Sequence, residues 1–112
     1  MLIDVRTYIV KPGTLNAHLG VYDKYGRKPQ SKHLGQPLAY LKTETGNPNE
    51  YVHMWVFKDA ADREAKRKAM WADPDWLTYV KHSAELGALA SQNNRLMTPV
   101  DFYDFPQASP GL

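Results

Sequence analysis

The chain has 112 residues, 43% of them hydrophobic and 23% charged, which suits one globular domain with a moderate core. Fourteen basic residues against twelve acidic ones leave a formal charge of +2, too little to argue for nucleic acid or an anionic membrane as partner. Cysteine is absent, which excludes disulfides, thiolate nucleophiles and Cys-ligated zinc; with no apolar leader and no run of membrane-spanning length, the expectation is a cytoplasmic protein.

Met1–Val10 alternates as a strand, with Ile3, Val5, Thr7 and Ile9 on one face and Asp4, Arg6 and Tyr8 on the other. Lys11-Pro12-Gly13 ends it. Thr14 is placed to cap a helix whose stripe is Leu15, His18, Leu19 and Tyr22, and Gly26 and Pro29 predict its end near Tyr25 or Gly26. The polar stretch Gly26–Gln36 reads as a loop over a pocket. Pro37–Thr45 is a second strand, and the turn Gly46–Asn49 joins it as a hairpin to a third, Asn49–Phe57.

The third strand is the most informative stretch. Tyr51, His53, Trp55 and Phe57 point one way and Val52, Met54 and Val56 the other, so both faces are largely apolar and the strand is central. Asp59 then caps a helix running to Trp71. Its acid-before-base pairs Asp59/Arg63, Asp62/Lys66 and Glu64/Lys68 mark Arg63–Lys68 as mainly a solvated face, not a nucleic-acid site. Asp73-Pro74 starts a further helix with inward stripe Trp76, Tyr79, Val80 and Ser83, expected to continue through Glu85–Gln92 with a bend at Gly87. Asn93–Phe105 is a last strand, at an edge because of Pro99. Residues 1–106 form the domain and 107–112 a frayed tail.

The order is βαββαβ with an additional helix before the last strand, an α+β chain of ferredoxin-like type. Right-handed crossovers put the helices on one face of the sheet. No elements remain for the other face, and leaving large apolar side chains wet forfeits about 1.5–3 kcal/mol each. A second copy of the chain is the expected cover, giving a homodimer with facing sheets.

Several stretches taken together resemble NIPSNAP-family domains. They are Asp4-Val5-Arg6-Thr7-Tyr8 with Lys11-Pro12-Gly13, His33-Leu34-Gly35, Thr43-Glu44-Thr45-Gly46 with Asn49, and His53-Met54-Trp55. Arg63 with Arg67, Asp73-Pro74-Asp75-Trp76 with Tyr79, and Asn94-Arg95-Leu96-Met97 with Pro99 complete the set. Asp4 stands where the family often carries a longer acid. The resemblance implies a dimeric α+β barrel. Its fold relatives include haem degraders, cofactor-free monooxygenases and isomerases, which implies no single reaction.

The ferredoxin-like order sets the first strand beside the third, so Arg6 and Tyr8 can share a face with His53 and Trp55. Such a group suits an aromatic or carboxylate-bearing small molecule. Arg6 would hold an anion, Trp55 would stack, and His53 or Tyr8 would move a proton near neutral pH. Tyr40 completes the wall if its strand faces that way. The structural alternative pairs Arg6 with Asp4 or Glu44 and makes His53 a satisfied core histidine. Trp71, Trp76 and Tyr79 are most simply core, with pocket lining as the second role of Trp76 and Tyr79. His33 is simplest as a surface residue. His18, His33, His53 and His82 show no metal-ligand spacing, so no metal is expected; ligation of a haem iron by His53 alone is the one cofactor reading left open. Two functions fit: a cofactor-free acid/base enzyme acting on an aromatic or oxygenated metabolite, or a non-catalytic homodimeric binding or scaffold module.

Overall fold

The computed structural model describes residues 1–105; the tail expected at 107–112 lies outside the described residues. Four strands, β1 (Leu2–Val10), β2 (Ala39–Lys42), β3 (Glu50–Phe57) and β4 (Leu89–Met97), form one antiparallel sheet in the order β2-β3-β1-β4. The helices are α1 (Leu15–Val21), α2 (Arg27–Leu34), α3 (Ala60–Trp71) and α4 (Pro74–Leu86). The ferredoxin-like strand order and the central position of β3 are as the sequence predicts; β4 is at an edge as expected, but it runs over Leu89–Met97 rather than Asn93–Phe105, and Pro99 lies beyond its end.

Alternation along β3 decides which face is covered. Tyr51, His53, Trp55 and Phe57 are all buried, whereas Val52, Met54 and Val56 keep part of their surface. The register carries β1 into the same division. Asp4, Arg6 and Tyr8 sit opposite Trp55, His53 and Tyr51 on the helix side, and Ile3, Val5 and Thr7 sit opposite Val56, Met54 and Val52 on the open side. Leu34, Trp55, Phe57, Met70 and Trp76 form the larger core cluster between sheet and helices, and Val10, Tyr51 and Ala88 a smaller one.

Three other expectations are corrected. Gly26–Gln36 is not a loop: α1 passes through a π-helical turn, Tyr22–Gly26, directly into α2. Pro29 is the third residue of α2, and the wider turn before it relieves the proline ring's usual clash with the preceding turn. Arg27, Lys28 and Lys32 are the wet side of this helix, and Pro29, Gln30 and Leu34 are buried. Secondly, α4 does not bend at Gly87 but stops there. Gly87 takes the left-handed conformation (φ 64°, ψ 26°), its N–H bonds the carbonyl of Ser83, and β4 starts two residues later. Thirdly, Thr14 occupies the start of α1 but does not cap it, because its hydroxyl donates to the Lys11 carbonyl (2.6 Å).

The caps of α3 and α4 are as expected. The Asp59 carboxylate accepts from the Asp62 N–H (2.8 Å) and that of Asp73 from the Asp75 N–H (2.9 Å). Asp73 also bonds His33 Nε2 (2.8 Å), so His33 is a tether between the end of α2 and the start of α4 rather than a plain surface residue. Trp71, expected in the core, is 46% exposed at the end of α3.

The π-helical turn has a steric consequence. A Cβ on Gly26 would lie 2.8 Å from a ring carbon of Tyr22 and 2.8 Å from one of Tyr79. Overpacking of this kind costs about 1–3 kcal/mol, which outweighs the gain of about 1 kcal/mol in helix propensity from glycine to alanine. Gly26→Ala is therefore expected to lower the urea midpoint; an unchanged or higher midpoint would show that the two rings give way.

Candidate functional site

The site grows from the register of β1, β3 and β2. Arg6 faces His53, Tyr8 faces Tyr51 and Tyr40 faces His53 across neighbouring strands, which settles that Tyr40 points to the helix side. Above this row α1, α3 and α4 leave a cavity of about 430 Å³. Arg6, Tyr8, Tyr40, His53, Trp76 and Tyr79, all singled out from the sequence, are on its wall. Trp55 is not. It is 1% exposed in the core and reaches the site only through His53, because β3 carries it under α3 and away from the opening.

The aromatic rings are ordered. Tyr40 stacks on His53 (centroids 4.8 Å, 18°) and on Tyr22 (4.9 Å, 20°), and Tyr51 lies nearly parallel to His53 (5.9 Å, 14°). Tyr8 meets His53 edge-on at 4.9 Å. These separations are in the range where aromatic pairs attract beyond simple burial. The wall is thus set by contacts of each ring with its neighbours.

Hydrogen bonds assign the state of His53. The Trp55 indole N–H, which can only donate, bonds His53 Nδ1 at 2.7 Å. Nδ1 is therefore the acceptor, and the neutral ring carries its proton on Nε2. Burial first, then the charge of Arg6 and the neighbouring His18, push the His53 pKa down to about 3. The expectation that His53 titrates near neutrality is overturned: at pH 7 it is a fixed N–H donor. The same geometry bears on haem. Ligation through Nε2 would move the ring proton to Nδ1 and lose the Trp55 bond, so the residues present do not fit that group. Among the described residues, no three His, Asp or Glu gather as a metal site.

Arg6 is held from two sides. Its Nη1 donates to Asp4 Oδ2 (3.2 Å) and its Nε to the Tyr8 hydroxyl (3.1 Å). Burial opposes its charge, but Tyr8 and Asp4 more than offset this and raise its pKa. The pairing of Arg6 with Asp4 is the structural alternative read from the sequence, and it holds together with a place on the cavity wall. Asp4 Oδ2 also accepts from Arg63 Nε (3.1 Å), which draws Arg63 inward, away from the surface partner Asp59. Arg67, one turn further along α3, lines the cavity as well. The run Arg63–Lys68 is therefore a solvated face only in part; of its three expected pairs, Asp62–Lys66 is an ion pair (3.1 Å).

Several wall residues were not singled out as site residues. His18 Nε2 and the Tyr51 hydroxyl are 2.6 Å apart, both side chains buried, and desolvation lowers the His18 pKa. The Tyr22 hydroxyl donates to Gln30 Oε1 at 2.6 Å. Burial raises the pKa of Tyr22, Tyr40, Tyr51 and Tyr79, so these phenols stay protonated. His18 and Tyr22 were legible as members of the α1 stripe. Gln30 was hidden in a polar run and Arg67 among like charges.

The family model for NIPSNAP matches residues 3–103. The chain belongs to the NIPSNAP family. Among solved structures, a NIPSNAP family protein from Agrobacterium tumefaciens has a TM-score of 0.83 and 35% identity, over 92% of this chain and 91% of that one. An uncharacterized NIPSNAP-like domain protein from Burkholderia xenovorans has a TM-score of 0.85 and 26% identity, over 99% and 92%. Protein NipSnap of Drosophila melanogaster is 24% identical over 90% of this chain and 36% of its own length, and NipSnap homolog 1 of Danio rerio is 26% identical over 88% and 34%. This NIPSNAP chain thus spans about a third of these curated relatives. A putative antibiotic biosynthesis monooxygenase from Nitrosomonas europaea, at TM-score 0.64 and 13% identity, shares the fold alone.

The neutral state of His53 makes stability pH-dependent. Its unfolded pKa of 6.5 lies above the folded value of about 3. The contribution is full above 6.5 and falls as pH drops towards 3, because the unfolded chain takes up a proton that the folded one refuses. The slope is at most about 1.4 kcal/mol per pH unit. Between pH 7 and pH 4 the melting temperature should fall, and less so for His53→Gln; equal falls would place the titration elsewhere.

Proposed function

We propose that this NIPSNAP domain binds a small planar molecule bearing an acceptor oxygen, in the cavity between sheet and helices, with His53 Nε2–H donating to that oxygen. The observation that carries the proposal is the fixed tautomer of His53 within an aromatic wall. The Trp55 bond commits one nitrogen, and among the described residues nothing accepts from the other. A cavity of about 430 Å³ with mostly apolar walls and a few convergent polar groups is of the kind that holds small ligands. The parallel planes of Tyr40, Tyr51 and His53 favour a flat one.

A donor of this kind polarises a carbonyl or steadies an oxyanion, as in cofactor-free chemistry on oxygenated metabolites. Proton abstraction by His53 is not part of the proposal, since its Nδ1 is occupied and its pKa is far below neutrality. Two neutral probes, 1-naphthaldehyde and naphthalene, test it through quenching of tryptophan fluorescence. His53→Phe keeps a flat ring and removes the donor. It should weaken the aldehyde by about three- to tenfold and leave naphthalene unchanged. No saturable binding of either probe to wild type would refute the cavity reading.

We infer in addition that the open sheet face pairs with a second copy of the chain. Ile3 with Val56 and Val5 with Met54 form cross-strand apolar pairs there, and Leu41, opposite Val52, is 55% exposed. Contiguous apolar surface of this sort on a small domain is a mark of association, and a C2 pairing would bring the same patch to itself. Light scattering at micromolar concentration should return about twice the mass of 12.8 kDa. Met54→Lys should halve the particle mass and remove the concentration dependence of melting; a wild-type monomer would end this inference.

A further inference from the structure

Charge is unevenly distributed around the cavity. Two guanidiniums, Arg6 and Arg67, are on its wall, and no carboxylate is. The nearest acid, Asp4, is 1% exposed behind Arg6 and already serves two cations through one oxygen, Arg6 at 3.2 Å and Arg63 at 3.1 Å. Two of the three arginines thus share a single carboxylate. Arg67 is the one left over. It is half-buried and, among the described residues, has neither an ion pair nor a hydrogen bond. Its relatives in the run behave otherwise: Arg63 turns to Asp4, and Lys66 to Asp62 on the surface.

A guanidinium presents five donors in a planar fork, and withdrawing it from water without an acceptor is unfavourable. Desolvation first, then repulsion from Arg6 and Arg63, lower the Arg67 pKa, and the more distant attraction of Asp4 and Tyr8 offsets this only in part, whereas for Arg6 the same two groups, in direct hydrogen bonds, win. An anion entering the cavity would supply the acceptor that this guanidinium lacks.

Trp76 also lines the wall, through its ring. Trp76 is 6% exposed, and its buried indole N–H has no acceptor. That N–H is closed off within the packing, so the donors that reach the cavity without an acceptor are the Arg67 guanidinium and His53 Nε2–H, amid parallel aromatic rings. The lacking component is a molecule rich in acceptor oxygens and carrying negative charge.

We propose that Arg67, rather than Arg6, is the anion-holding residue, and that the cavity's ligand is a planar aromatic molecule carrying one carboxylate. The proposal rests on the binding reading above and adds the ligand's charge and the residue that selects it. A single charge is assigned because a single guanidinium is unpaired. The fork of Arg67 takes the carboxylate bidentately, the ring lies against Tyr40 and its neighbours, and a further oxygen of the ligand accepts from His53. Arg6 has a different part: its charge is compensated by Asp4, and it holds the Tyr8 hydroxyl in position.

The experiment compares 1-naphthoate with its isosteric uncharged amide, 1-naphthamide, by calorimetry on wild type, Arg67→Gln and Arg67→Lys. Wild type should bind the acid at least about tenfold more tightly than the amide, the usual yield of a charge-assisted pair. Arg67→Gln should abolish that preference, weakening the acid far more than the amide, and Arg67→Lys should restore part of it as a point charge without the fork. An intact cooperative thermal transition in Arg67→Gln shows that the variant is folded. Equal binding of acid and amide by wild type, or a preference that survives Arg67→Gln, overturns the assignment while the cavity reading stands. Failure of both probes to bind wild type overturns both.

Discussion

The carboxylate of Asp4 is the interaction on which the site depends. It comes from the central strand β1, is almost completely buried, and holds through Oδ2 one guanidinium from its own strand and one from α3. Burying a charge costs several kcal/mol unless it is paired and hydrogen-bonded, and removal of one partner from such a group costs about 3–5 kcal/mol. The pairing therefore fastens α3 to the sheet at a fixed height and rotation. That rotation brings Arg67, one turn further on, to the cavity. Oδ1 of Asp4 has no partner among the described residues, so the compensation falls short on both sides: an acceptor lacks a donor behind the wall, and Arg67 lacks an acceptor at it.

The second constraint is the pair of uses made of β3. Side chains of one parity build the aromatic wall and those of the other build the open face, so the site and the proposed association surface are two sides of one strand. Trp55 links core and chemistry. It is packed with Phe57, Met70 and Trp76, and its N–H fixes the proton on His53 Nε2. The position of a single proton at the site thus derives from core packing.

Fold relatives with monooxygenase descriptions share the sheet and its helices, at identities that carry no side-chain argument. The chemistry of this chain lies in individual groups: a histidine held neutral, phenols kept protonated by burial, and an arginine without an ion pair among the described residues. Chemistry of this sort belongs to sites grafted on a fold rather than to the fold itself.

Local periodicity and caps were enough to determine the first three strands, the ferredoxin-like order, the starts of α3 and α4, and the shared face of Arg6, Tyr8 and His53, but not the start of the fourth strand. These depend on side-chain alternation and on near neighbours in the chain, and both are written into the order of residues. The rest required the third dimension. Gly26 and Pro29 look like helix breakers until a π-helical turn accommodates the proline and Tyr79 packs on the glycine. Gly87 is equally consistent with a bend or a stop, and strand pairing from Leu89 onward decides for the stop. Arg63 and Arg67 are indistinguishable from their solvated neighbours in a run of charges; only the position of Asp4, 59 residues from Arg63 in sequence, pairs one and strands the other. The charge state of His53 could not be read locally either, because desolvation is a property of everything packed around a group and not of the strand that carries it.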